Sequence, residues 1–166
     1  MTDVARAELR PPSNLLDPRA EAWWRMQAIL SSAPVLAGLA VAGAAFPGSR
    51  PWTWIVFAAA AAWSAMEVFV APAWRMRIHR WEVTDEAVYA SAGWWTQQWR
   101  IAPVSRIQTV DTVRGLLQRR YGLSSVTVTT ASAAGPIRID GLDAQVADEL
   151  VRRLTQITHA AEGDAT

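Results

Sequence analysis

The sequence predicts an α+β membrane protein, a two-helix transmembrane hairpin followed by an antiparallel β domain closed by one amphipathic helix. Three observations predict it. Residues 26–49 carry no charge, and a second apolar run over residues 52–74 carries only Glu67. From residue 75 onward the pattern changes to short alternating strands. A last segment, residues 143–158, has apolar residues at helical spacing. The bulk averages hide this division: 51% of the 166 residues are hydrophobic, 19% are charged, and the mean hydropathy is +0.07.

Residues 1–22 are polar, with Pro11, Pro12 and Pro18, and four acids (Asp3, Glu8, Asp17, Glu21) against three arginines (Arg6, Arg10, Arg19). Composition predicts a disordered cytoplasmic tail. The first apolar run starts too late and runs too long for a signal peptide. A hairpin is expected over residues 23–74. Its first span, residues 26–46, would be about 31 Å long as a helix, against a hydrocarbon core of about 30 Å. A buried helix of a soluble protein is the competing reading, but no polar face exists to meet water. Pro34 is a possible kink point that membrane helices tolerate. The sequence Pro47-Gly48-Ser49-Arg50-Pro51 is a turn, and the second span covers residues 52–73.

Trp23, Trp24, Trp52, Trp54 and Trp74 fall at the span ends, where indole rings sit among headgroups. Arg19 and Arg25 flank the first span and Arg75, Arg77 and Arg80 follow the second, whereas the turn has only Arg50. The positive-inside rule then places both termini in the cytoplasm, with the protein integral to the inner (plasma) membrane. Small residues at Ala33/Ala37, Gly38/Ala42 and Ala58–Ala62 would let the helices approach closely.

The domain over residues 75–158 reads as six strands, at 78–84, 87–92, 96–102, 106–113, 123–130 and 136–140, with a helical turn at 115–121. Strand 123–130 is β-branched. Asp143 is a suitable N-cap, and Val146, Ala147, Leu150, Leu154 and Ile157 form one stripe of the final helix. The architecture expected is a curved sheet or open barrel capped by that helix. Residues 159–166 read as a second disordered tail.

The run WRMRIHRWEVTDEAVYASAGWWTQQWRIAPVSRIQTVDTVRGLLQRRYGLSSVTVTTAS, followed by IRIDGL and a helix and preceded by two spans, resembles the bacterial pleckstrin-homology-like family, also called membrane-flanked domain proteins. The likeness covers roughly residues 15–158. It implies a PH-like barrel or curved sheet, and a short gene-pair member that a longer relative with repeated domains accompanies. It implies no chemistry, because fold does not specify function.

No catalytic, metal or cofactor site is expected. There is no cysteine, the two histidines (His79 and His159) lie far apart, and no glycine-rich phosphate loop occurs. A net charge of +1 supplies no field for nucleic acid. Three features are candidates for lipid or partner contact. Trp74, Arg75, Arg77 and Arg80 could hold anionic headgroups, at about 1 kcal/mol per basic residue, or simply mark topology. Arg100, Arg106, Arg114, Arg119 and Arg120 face only Asp111 within residues 100–120. They form either a binding surface or a solvated face, and the neighbouring Leu116 and Leu117 would let this loop dip into an interface. Trp94 and Trp95 at a strand turn are costly if exposed, whereas Trp81 and Trp99 belong in the core. Glu67, an ionisable residue in a span, is a functional candidate by default, but it lies about 10 Å of helix rise before Trp74, which suits a place near the cytoplasmic headgroups or a pair with Arg25 better than a transport role.

The function expected is that of a non-enzymatic, membrane-anchored interaction or scaffold protein. It would assemble with a larger relative or with itself, in assembly or envelope-stress support. The alternative is an anionic-lipid sensor. The absence of cysteine makes the topology directly testable. Ser49→Cys will react with an impermeant maleimide on intact cells, and Thr155→Cys will react only after permeabilisation.

Overall fold

A computed structural model describes residues 11–46, 48, 50–93, 96–131 and 135–163, without the side chains of 159–163. Two compact units emerge. One is built from residues up to Ala20 together with Arg75 onward, and the other is Glu21–Trp74.

The second unit is made of most of two long helices, whose outer ends belong to the first. Helix α1 is Arg19–Ala45, with Pro34 inside an unbroken helix. Helix α2 is Arg50–Ile78, with a π-helical turn at Met66–Val70 that includes Glu67. Both are long and apolar enough to cross a membrane, and protein buries almost none of either apolar stretch. Ile29, Val35, Val41, Ile55 and Phe69 are all exposed, as expected of side chains solvated by lipid rather than by a core. The close helix approach falls on Gly43. A Cβ there would lie 3.2 Å from the Trp54 ring, whereas one on Gly38 would meet nothing. Trp54 in turn packs edge-to-face on Phe57, with centroids 5.5 Å apart. Trp23 and Trp24, expected at headgroup level, are buried and stacked on each other at 5.9 Å.

Among the described residues, the other unit holds seven strands in two antiparallel sheets. Strands β1 (Asn14–Leu15), β2 (Arg80–Val83), β3 (Ala87–Gly93) and β4 (Gln97–Pro103) form the first, in that order. Strands β5 (Ile107–Val113), β6 (Leu123–Thr130) and β7 (Ile137–Asp143) form the second. A 3₁₀ corner at Val104–Arg106 joins β4 to β5 without pairing them, so the sheets do not close into a barrel. Bulges between Ile107 and Thr109 and between Ser124 and Val126 add local bend.

The core of this unit is filled mainly from β6 and β7. On β6, Leu123, Val126 and Val128 are fully buried, and on β7 Ile137, Ile139 and Leu142 join them. Short helix α3 (Leu116–Tyr121) bridges β5 and β6, and helix α4 (Ala144–Gly163) packs over β5, β6 and β7. Asp143 caps α4, since its Oδ1 accepts the Gln145 N–H at 2.8 Å and the Val146 N–H at 3.4 Å. Ala147, Leu150 and Leu154 are buried, and each leucine contributes about 1.5–3 kcal/mol. Val146, expected in this stripe, remains 42% exposed, as does Trp99 at 44%. Trp99 alternates outward on β4 between Gln98 and Arg100, so it lies on the solvent side of the sheet rather than in the core.

The largest departure from the sequence reading lies before the first span. Residues 14–15, read as tail, pair with β2 in the register Asn14↔Trp81 and Leu15↔Arg80. Leu16 is buried. Helix α4 likewise runs to Gly163, past residue 158. Gly122 closes α3 in the left-handed conformation (φ 69°), and a Cβ there would lie 2.9 Å from Arg19 Nη1. Gly122→Ala is therefore expected to destabilise the domain by about 1–2 kcal/mol, measured as a lower unfolding midpoint of the full chain in detergent.

Candidate lipid and partner surfaces

The surface begins with the strap that precedes α1. Asp17 starts the helix, its Oδ1 accepting the Arg19 N–H at 2.8 Å, and the Asp17 N–H donates to the Gly141 carbonyl at 3.1 Å. The Arg19 guanidinium then forks. It donates to both Asp17 carboxylate oxygens at 2.9 Å and to Asp143 Oδ2. Asp143 thus caps α4 and holds the root of α1 at once. The Arg19 guanidinium keeps both carboxyls below the usual carboxylate range. This strap is invisible to composition, although Asp-Pro before an apolar run is a helix-start signal.

Beside the strap, a groove of about 650 Å³ runs between the β1–β2 edge and α4. Trp81, Val83, Val146 and Leu150 line its apolar part, and Asp148, Glu149, Arg152 and Arg153 its charged part. Trp81 Nε1 donates to the Leu15 carbonyl at 3.3 Å, which orients the indole. Sequence reasoning missed this groove because its two walls are more than 60 residues apart. β1 covers only Arg80 and Trp81 of β2. Beyond it, Glu82 Oε2 accepts the Ser13 N–H at 3.0 Å.

The predicted arginine set is split among three places. Arg100 and Arg106 share a cleft of about 300 Å³ with Trp99, Ile101 and Ile137, where Arg100 Nη1 donates to the Pro136 carbonyl at 2.7 Å. Arg114 is held by Ser124 Oγ at 2.8 Å and by Asp148 at 3.9 Å. Arg119 and Arg120 sit exposed on α3 with Leu116 and the half-buried Leu117. The juxtamembrane group lies elsewhere, with Trp74 half-exposed, Arg77 exposed, Arg80 in β2, and the Arg75 carbonyl accepting the His79 N–H at 2.9 Å. Trp94 and Trp95 lie outside the described residues.

Burial pushes the His79 imidazole below its ordinary value, which favours its neutral form. The 380 Å³ cavity between the spans is lined by Ser31, Ser32, Trp63, Ser64 and Glu67, among others. Its serines donate to their own helix, to the Ala28, Ile29 and Ala60 carbonyls. Among the described residues no group of three or more His, Asp or Glu side chains could hold a metal ion.

The family model described as "Bacterial PH domain" matches residues 31–158. The chain belongs to this bacterial PH domain family. It is 30% identical over 157 residues to the "UPF0699 transmembrane protein YdbS" of Bacillus subtilis (strain 168), covering 92% of this chain and 97% of that one. No solved structure matches. With two apolar helices and a transmembrane relative matched along nearly its whole length, this bacterial PH domain chain is a membrane protein.

The strap carries a pH signature. Because the folded carboxyls of Asp17 and Asp143 titrate below the unfolded value of about 3.9, their contribution is complete above that pH. It is lost as pH falls through the lower folded values. Hydrogen exchange at Arg19 and Ala20, corrected for intrinsic rate, should stay flat from neutral pH to about pH 5 and rise only below about pH 4. Asp143→Asn should raise that exchange at neutral pH.

Proposed function

We propose that the chain is a non-catalytic interaction module, anchored in the inner membrane by its hairpin, with the bacterial PH domain on the cytoplasmic face. The groove between the β1–β2 edge and α4 carries this reading. It joins an apolar floor to a rim of both charges, the anatomy of a protein contact. The orientation is supported by the arginines flanking the spans, set against the lone Arg50 of the turn. The occupant is a segment of a second copy, or of a longer relative carrying the same domain.

Val146 tests the groove without touching the core, since it is part-exposed. Val146→Cys carrying a photocrosslinker should join to a differently tagged second copy or to the longer relative in native membranes. Val146→Glu should lower co-purification of that protein by about tenfold, the equivalent of about 1.4 kcal/mol. Monomer alone after crosslinking, with co-purification insensitive to Val146→Glu, would overturn the reading.

A further inference from the structure

Helix α3 displays its apolar residue outward. Leu116 is 85% exposed, more than any other described large hydrophobic side chain, including Trp52 and Phe69 of the hairpin at 73% and 71%. Val113, just ahead of it, is 53% exposed. This display is held in place by the opposite face of the helix. Gln118 is buried, donates to Ser125 Oγ at 2.7 Å and accepts the Gly115 N–H at 2.9 Å. Ser125 Oγ in turn donates to Asp140 Oδ1 at 2.5 Å. With Gln118 fixed inward, Leu116 has no rotation of the helix by which to hide.

Residues i, i+3 and i+4 of a helix share a face. Leu116, Arg119 and Arg120 therefore point the same way, and both arginines are exposed. Neither guanidinium group has an ion-pair or hydrogen-bond partner among the described residues. Six other arginines are compensated. Arg19, Arg25, Arg114, Arg138, Arg152 and Arg153 each meet a carboxylate. Two uncompensated guanidinium groups beside one presented leucine form the pattern of an interfacial helix. The apolar side chain enters the acyl boundary, and the long cationic chains reach back to phosphates. The C-terminal end of α3 also lies against Arg19, through Gly122. Arg19 begins α1, seven residues before the uncharged run opens at Met26.

We infer that α3 is an interfacial foot: Leu116 seats in an anionic lipid surface while Arg119 and Arg120 hold its phosphates. The site is distinct from the groove and does not depend on any protein partner. Its ligand is the anionic bilayer surface itself, read by charge and apolar contact rather than by one headgroup.

The experiment uses the full chain in nanodiscs, one set of phosphatidylcholine and another of equal parts phosphatidylcholine and phosphatidylglycerol. Both leaflets are accessible, so the result is independent of cellular orientation and of the groove reading. An environment-sensitive dye is placed on Leu116→Cys. A second is placed on Thr112→Cys, which leaves Leu116 intact, and a control on Thr155→Cys. Each is read for emission shift and for quenching by spin-labelled lipid. The expected result is quenching at 116 and 112 but not at 155, with a ratio of docked to undocked molecules roughly tenfold or more higher on the anionic discs, given about fivefold per basic residue. Arg119→Glu/Arg120→Glu should abolish the difference. Equal quenching on the two lipids, persistence in the charge-reversed variant, or equal quenching at 155 would each overturn the inference.

Discussion

The structure depends on one guanidinium. Arg19 is the first residue of α1, and it is gripped by Asp17 on its own strap and by Asp143 at the head of α4. The same Asp143 supplies the cap that starts α4. One charged fork thus couples the entry to the hairpin, the last strand and the helix that closes the core. An isolated surface ion pair is worth little. This one is a bidentate arginine shared between two carboxylates, in which each carboxylate has a second job as a helix start. Below it, the Asp17 N–H to Gly141 carbonyl bond and the two β1–β2 pairs continue the attachment along the backbone.

Much of this fold was legible in the sequence, because most of its elements are local. The two spans needed only an absence of charge over a sufficient length. β3 through β7 could be read from alternation to within a residue or so at most ends, and the cap at Asp143 from its place before an apolar stripe. The strap was illegible because its information is split. Asn14 and Leu15 are two residues in a proline-rich polar stretch, and their partners Arg80 and Trp81 lie beyond the hairpin. A two-residue strand has no period to detect. The same non-locality hid the groove, whose walls come from β1, β2 and α4.

The site residues divided along similar lines. A count of arginines treated Arg100, Arg106, Arg114, Arg119 and Arg120 as one surface. Pairing separates them, since Arg114 is bound to Ser124 and Arg100 to a carbonyl, while the guanidinium groups of Arg106, Arg119 and Arg120 meet no hydrogen-bond or ion-pair partner among the described residues. Sequence shows which charges exist, but not which are already spoken for. Trp99 misled for a related reason. Bulk and apolarity argue for the core, but strand parity overrules them when the sheet turns that side to solvent.

The interruption of the domain by the hairpin has a consequence for how the molecule is made. β1 leaves the ribosome first, but the strand it needs is encoded some 66 residues later, as the Leu15–Trp81 separation shows. At 5–20 residues per second that is a delay of roughly 3–13 s, during which both spans must be delivered to the bilayer. The N-terminal piece can find β2 only if it and the polypeptide emerging after α2 end up on the same side. A chain threaded with the two on opposite sides would therefore be left with an unfinished edge and an unclasped helix.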